Sequence, residues 1–280
     1  MKAALIQLNS GDDPEVNLAI TLGYLDQAVE QGAGFLLTPE VTNCVSLSRS
    51  HQQNVLCHQE DDPTLAGIRA FAAERGVWVL IGSLALKTDD ADGRFANRSF
   101  LIDPQGEIAA WYDKIHMFDV QVSETETFRE SDGYRPGEHA AIAETDFGTV
   151  GLSVCYDIRF PYLYRDLAQA GATILTIPSA FSPVTGEAHW EPLLRARAIE
   201  TGCYVLAPAQ TGIHPATKGK QRTTYGHSMA IDPWGRVLAA AEETPGVYLV
   251  DLEAELVAET RNRVPSLTHD RAYAAPKVLK

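Results

Sequence analysis

Three ionisable side chains of unlike type close short apolar runs: Glu40 after Phe35-Leu36-Leu37-Thr38-Pro39, Lys114 after Ala109-Ala110-Trp111-Tyr112-Asp113, and Cys155 after Gly151-Leu152-Ser153-Val154. In layered α/β folds the ends of buried strands are where ligand sites form. Singly, each has an ordinary explanation: a thiol closing an apolar strand is most often an inert buried group, Glu40 can cap the next segment, and Lys114 can be a solvated cation. Together, a thiol, a carboxylate and an ammonium form a complete set for acyl transfer through sulfur. A free thiol, with a pKa of about 8.5, is mostly protonated at neutral pH, so a nucleophilic Cys155 needs a base or a cation nearby. Glu40 as base takes the thiol proton and returns it to a departing amine, while Lys114 stabilises negative charge on the carbonyl oxygen. The backbone N–H of Tyr156, at the turn leaving the strand, is the expected second oxyanion donor.

Residues so distant in sequence meet only if strands and helices alternate regularly, and the sequence supplies that alternation. Met1 to Leu8 is an apolar run; Asp13-Pro14 then starts a helix with Leu18, Leu22, Leu25 and Val29 on one face, ended by Gly32 or Gly34. Phe35 to Thr38 is a brief buried strand, and the grammar repeats with Asp62-Pro63, a helix through Glu74, Gly76 and a strand from Val77 to Leu86. Ser99 to Tyr112 reads as two strands about the turn Asp103-Pro104-Gln105-Gly106. Strands at Thr149–Val154, Ala172–Ile177 and Cys203–Pro208 alternate with helices at about Pro161–Gln169 and Glu187–Glu200. A hairpin around Asp232-Pro233-Trp234-Gly235, a strand near Val247–Val250 and a helix from Leu252 to about Arg263 complete an α/β layering. No linker or change of composition divides the chain, so a single domain over 1–280 is expected. Its tail, 264–280, has too little periodicity for a core of its own and is expected to pack at a subunit contact.

Composition narrows the partners. With 280 residues, 45% of them hydrophobic, the chain has enough apolar material for a thick core, which rules out disorder. A balance of 23 Lys+Arg against 37 Asp+Glu, net −14 without a basic cluster, argues against nucleic acid. The longest uncharged stretch, Leu167 to Gly186, is interrupted by Pro178, Pro183 and Gln169, so no membrane span is read. Cys44, Cys57, Cys155 and Cys203 lack metal or disulfide spacing, and no leader-like segment precedes them; a reducing cytoplasm and no structural metal are expected.

The segments TPE (38–40), YDKIHMFD (112–119) and GLSVCYDIRFP (151–161) resemble the nitrilase superfamily of carbon-nitrogen hydrolases, in the same order along the chain. The likeness continues through FRES (128–131), YRPG (134–137), PSAF (178–181), AHWEPLLRARAIE (188–200) and YGHSMAIDPWG (225–235). It implies a four-layer α-β-β-α sandwich, no cofactor, a Glu-Lys-Cys triad of Glu40, Lys114 and Cys155, and a supporting carboxylate, Glu130, beside the lysine. From Cys155 to Gly235 the chain is most similar to deaminated-glutathione amidases, with omega-amidases of 2-oxoglutaramate second. That implies cleavage of an amide near a carboxylate through a cysteine thioester, with release of ammonia, and a homodimer or higher assembly. The loop 120–129 departs from the family in lacking the Pro-Gly that commonly follows the lysine motif.

An anionic substrate needs a cation, and Arg159, four residues past the thiol, is the candidate from the sequence, with a pair to Asp157 as its structural alternative. Arg195 and Arg197 read as structural, at helical spacing from Glu191 and Glu200. Phe118, Tyr156 and Phe181 are candidate pocket walls. His116, His189 and His227 permit a Cys-His protease reading, but that reading leaves the Glu40 and Lys114 strand ends without a role. Nitrile, N-carbamoyl and aliphatic amide hydrolysis share the same three groups. A catalytically idle scaffold is the reading from outside the enzymes.

Overall fold

Alternation of side chains along each strand decides the layers. The computed structural model describes residues 1–122 and 127–278; Ser123 to Glu126, within the loop singled out above, and the last two residues of the tail lie outside them. The first half contains β1 (Lys2–Gln7), α1 (Pro14–Glu30), β2 (Phe35–Leu37), α2 (Arg49–Val55), α3 (Pro63–Arg75), β3 (Trp78–Leu86), β4 (Ala96–Ile102), β5 (Ile108–Asp113), β6 (Asp119–Gln121) and β7 (Thr127–Arg129). The second contains β8 (Ala141–Thr145), β9 (Gly148–Leu152), α4 (Pro161–Gln169), β10 (Ile174–Thr176), α5 (Pro183–Thr201), β11 (Tyr204–Ala207), β12 (Thr211–Ile213), β13 (Thr223–Tyr225), β14 (Met229–Ile231), β15 (Val237–Ala240), β16 (Gly246–Asp251) and α6 (Ala254–Arg263).

Two sheets, ordered β16-β1-β2-β3-β4-β5 and β15-β14-β11-β10-β9-β8, lie face to face. Ala3, Leu5, Phe35, Leu37, Leu80 and Leu101 point inward and share one core with Val150, Leu152, Leu175 and Val205 of the other sheet. Their neighbours Ala4, Ile6, Leu36, Val79, Ile81, Phe100 and Ile102 point outward into a second core under α1 and α3. Burial on both faces explains why these strands read as unbroken apolar runs. Helices α4 and α5 cover the outer face of the second sheet, completing the α-β-β-α sandwich expected from the sequence. Each fully buried Leu or Ile contributes on the order of 1.5–3 kcal/mol.

Local rules set the element ends. Asp13 and Asp62 cap α1 and α3 through their carboxylates, each followed by proline, and Gly76 closes α3 in a left-handed turn. Helix α5 starts at Pro183, four residues before the expected Glu187, and continues through Pro192. Pro192 and Ala188, whose carbonyl it cannot bond, are both exposed, so the lost bond falls on the solvent-facing side of α5. Strand β9 stops at Leu152, short of the expected Val154, because the Asp157 carboxylate accepts the Val154 N–H at 2.8 Å and pulls the chain into a 3-10 turn. The short helix α2 and the ribbons β6–β7 and β12–β13 were not foreseen.

Beyond α6, a 3-10 turn at Ser266–Thr268 lies against α4 and α5; Arg165 bonds Asp270, and Gln169 donates to the Leu267 carbonyl at 2.9 Å. No helix among the described residues is long and apolar enough to cross a membrane.

Candidate active site

The strand ends deliver the three side chains through three different supports. Past β2, the Thr38 N–H is held by the Leu80 carbonyl and the Val41 N–H by Ser83 Oγ at 2.8 Å, turning Glu40 inward. Gly82 makes this approach possible: a Cβ there would run into the carbonyl oxygens of Thr38 and Pro39. Past β5, Lys114 donates its N–H to the Asn97 carbonyl at 3.0 Å, and its carbonyl accepts the Gly137 N–H at 2.8 Å. A Cβ on Gly137 would collide with the Asp113 carbonyl, which is why this YRPG glycine matters to the lysine. Past β9, the Cys155 N–H bonds the Pro178 carbonyl at 2.9 Å, and Cys155 opens its 3-10 turn at φ +49°. Val41, beside Glu40, has φ +47°. Non-glycine residues in the left-handed region carry strain and concentrate at functional sites.

Glu40, Lys114 and Cys155 are buried, at 3%, 2% and 5% exposure, and line one cavity of about 300 Å³ together with Glu130, Phe118, Tyr156 and Phe181. Lys114 Nζ donates to Glu40 Oε1 at 2.8 Å and to both oxygens of Glu130 at 2.9 and 2.8 Å. Glu40 Oε2 accepts the Ala180 N–H at 2.9 Å, and Glu130 Oε2 the Phe118 N–H at 2.6 Å. The Tyr156 N–H, in the first turn past the thiol, has no acceptor among the described residues.

Burial alone would raise the Glu40 carboxyl, but the charges of Lys114 and then Arg222 reverse it and hold the group below its ordinary value. Burial alone would lower Lys114; Glu130 and then Glu40 hold it well above its ordinary value. Burial pushes the Cys155 thiol up, and the adjacent Glu40 carboxylate adds to this more than Lys114 relieves it. The resting site therefore pairs a protonated thiol with an ionised carboxylate and an ammonium. A thiolate is unstable there until its charge can pass to a carbonyl carbon and on to an oxygen beside Lys114.

Arg159 does not line the cavity. Its guanidinium lies over the rings of Tyr156 and Phe181 and 3.3 Å from His189 Nδ1, and it does not take the alternative pair with Asp157. The Asp157 carboxylate instead receives Tyr112 OH, the Val154 N–H and the N–H and ring Nδ1 of His116. His116 is also stacked on Phe160, and His227 Nδ1 is bonded to the Tyr225 carbonyl. None of the three histidines lines the cavity, which removes the Cys-His arrangement. Arg195 and Arg197 pair with Glu191 and Glu200 along α5, as their spacing indicates.

Sequence reasoning missed Asn97, Arg49, Arg222 and Ser182, all of which line the cavity. Asn97 carried one weak signal, an amide just ahead of the apolar run Phe100–Ile102; the arginines carried none. Asn97 Nδ2 donates to Glu40 Oε1 at 2.9 Å and to Glu130 Oε1 at 3.3 Å. Ser182 Oγ and Arg49 Nη1 are buried without a hydrogen-bond partner among the described residues.

A thiol, a carboxylate and an ammonium buried together where two facing sheets end form a set fitted to acyl transfer through sulfur. The description "Carbon-nitrogen hydrolase" matches residues 2–262, and the chain belongs to that family. It is 41% identical over 272 residues to the deaminated glutathione amidase of Yersinia enterocolitica, covering 96% of this chain and 92% of that protein. Among solved structures, the C. elegans NitFhit protein superposes with TM-score 0.88 at 33% identity; the match covers 96% of this chain and 65% of that one. The amidase from Nesterenkonia sp. AN1 superposes with TM-score 0.76 at 26% identity, over 94% of this chain and 96% of that one. In that structure the acetamide moiety of fluoroacetamide is added covalently at the active-site cysteine of an amidase variant.

Proposed function

We propose that the chain hydrolyses an amide of a small carboxylate, deaminated glutathione or a similar ω-amide, through a thioester on Cys155. The observation that carries this reading is the meeting of Glu40, Lys114 and Cys155 at one cavity. Cys155 Sγ attacks the carbonyl carbon as Glu40 accepts the thiol proton, and the oxygen gains its charge between Lys114 Nζ and the Tyr156 N–H. Collapse breaks the C–N bond, and Glu40 returns the proton to the departing nitrogen. Ammonia leaves from a primary ω-amide; where the nitrogen carries the rest of a peptide, as in deaminated glutathione, the peptide amine leaves. Glu40 then activates water against the thioester, freeing the acid and restoring the thiol. Glu130 keeps Lys114 charged and in place throughout.

The anionic substrate is supported by the lining. Among the described residues, Lys114, Arg49, Arg129 and Arg222 face Glu40, Glu130 and Asp132, four cations to three acids in a chain of net charge −14. A simple aliphatic amide is the second reading, favoured by the adduct of the Nesterenkonia amidase. A panel of deaminated glutathione, 2-oxoglutaramate, propionamide, a nitrile and an N-carbamoyl amino acid separates the two. Turnover of the first two by at least tenfold over the rest supports the proposal, and turnover of none of them supports the idle scaffold.

The four free cysteines fit a reducing cytoplasm, which fractionation of the source cells tests. Exposed apolar side chains at Val264, Tyr273 and Val278 fit a homo-oligomer in which the tail crosses to a second subunit. A monomer at micromolar concentration in sedimentation overturns that.

A further inference from the structure

One residue touches Glu40, Lys114 and Glu130 together. The Asn97 carbonyl accepts the Lys114 N–H at 3.0 Å, while its side-chain Nδ2 donates to Glu40 and to Glu130. We infer that Asn97 is a positioning residue whose amide donor, shared with Glu130, keeps the Glu40 carboxylate ionised and leaves Glu40 Oε2 as the oxygen that takes the thiol proton. The inference rests on the acyl-transfer reading above.

The argument is one of lone pairs. Each carboxylate oxygen accepts about two hydrogen bonds in its plane. Glu40 Oε1 is filled by Lys114 Nζ and Asn97 Nδ2; Oε2 accepts the Ala180 N–H, which leaves a lone pair there for the Cys155 thiol, itself a hydrogen-bond partner of the Glu40 carboxylate. Lys114 and the two carboxylates it touches sum to one negative charge, and Arg222 acts on Glu40 without a hydrogen bond to either carboxylate. Two carboxylates sharing a site tend to capture a proton between them, which would silence the base. Asn97 opposes this because its amide donates to Oε1 of both without bringing charge, and because donors to a carboxylate favour its ionised form. The two contacts with carboxylates also fix the rotamer, which strands Oδ1 as a buried acceptor without a partner among the described residues. Bearing that cost is what a residue held for its donor would do. The ionisable groups facing Glu40 are Lys114, Arg222, Cys155 and, across Asn97, Glu130.

The test uses the full chain with Asn97→Ala and Asn97→Asp. The readouts are iodoacetamide alkylation of Cys155 against pH, resolved by peptide mass spectrometry, and kcat/KM against pH on 2-oxoglutaramate. Alkylation does not depend on the substrate, so a protein that turns over no amide sinks the functional reading while this inference is still measured. The expected result is a folded protein by circular dichroism, with the acidic limb of both profiles moved up by at least one pH unit. Asn97→Asp, which replaces the donor by a third carboxylate, moves the limb further than Asn97→Ala. Asn97→Ser, with a short donor, recovers part of the shift. An unmoved limb, or a uniform loss at all pH values, overturns the inference, as does unfolding of all three variants, which would make Asn97 structural only.

Discussion

Glu40 Oε1 and Lys114 Nζ meet at 2.8 Å across 74 positions of sequence, with both side chains almost wholly removed from water. Such a pair is expensive to assemble and more expensive to break, because deleting one partner strands a buried charge at a cost of about 3–5 kcal/mol. Lys114→Met therefore leaves Glu40 and Glu130 unpaired together. The expected outcome is loss of turnover and a stability loss in that range, read from the midpoint of urea unfolding. A midpoint within experimental scatter of the parent would show that the ammonium is not holding the two acids.

The direction of each pKa shift fixes where this stability lies. Glu40 is held below its ordinary 4.5, so its contribution is present above that value and is lost as pH falls through the lower folded value. Lys114 is held above 10.5, so its contribution is present below that value and is lost as pH rises through the higher folded value. The cluster is thus intact between about 4.5 and 10.5 on the reference values of the two groups.

The thiol makes a separate kinetic prediction. Cys155 is held protonated by burial and by Glu40, so its reaction uses Glu40 as base and does not await free ionisation. Alkylation by iodoacetamide should be nearly flat between pH 6 and 9, and selective for Cys155 over Cys44, whose thiol is pushed up to about 12 by burial and the charges of Asp12 and Asp13. A rate climbing tenfold per pH unit towards 9 would mean that ordinary thiolate formation controls the reaction. Cys155→Ala should abolish turnover in a protein of unchanged circular dichroism.

Backbone fit at Gly82 is as consequential as any charge. An alanine methyl there meets the Thr38 and Pro39 carbonyls, so the segment carrying Glu40 must retreat or β3 must bend. Gly82→Ala should lower kcat by about 100-fold through displacement of the base, with alkylation of Cys155 slowed in parallel. Wild-type kcat in this variant would show that the contact is relieved without moving Glu40.

How far the sequence reaches is clear from these same residues. Glu40, Lys114 and Cys155 were legible because each closes an apolar run, a local pattern that survives without coordinates. The layers were legible because both-sided burial writes continuous apolar strands, and Asp-Pro and Gly write the helix ends. Asn97 was not, since its importance comes from the antiparallel pairing that sets β4 between β3 and β5, beside both Glu40 and Lys114. Arg159 attracted the substrate role by proximity in sequence to the thiol, but the 3-10 turn after Cys155 places its guanidinium over Tyr156 and Phe181, outside the lining. Arg222, far along the chain, reaches the cavity because the segment before β13 folds back so that its Nη2 bonds the Ala180 carbonyl at 2.6 Å.

That exchange of arginines gives the last prediction. Arg222 and Arg49 line the cavity, and one buried nitrogen of Arg49 has no partner among the described residues. A hydrogen bond from a guanidinium to a substrate carboxylate is worth about 1.5–3 kcal/mol, or roughly 10- to 150-fold in binding. Arg222 also helps keep Glu40 ionised, so Arg222→Leu should slow every substrate somewhat. The informative quantity is therefore the ratio of kcat/KM for 2-oxoglutaramate to that for propionamide, from which a general effect on the base cancels. The ratio should fall at least tenfold in Arg222→Leu and in Arg49→Leu, carried by KM, and less in Arg159→Leu. If Arg159→Leu collapses the ratio while the other two leave it intact, the carboxylate is read by the arginine outside the lining, and the assignment to the cavity wall is wrong.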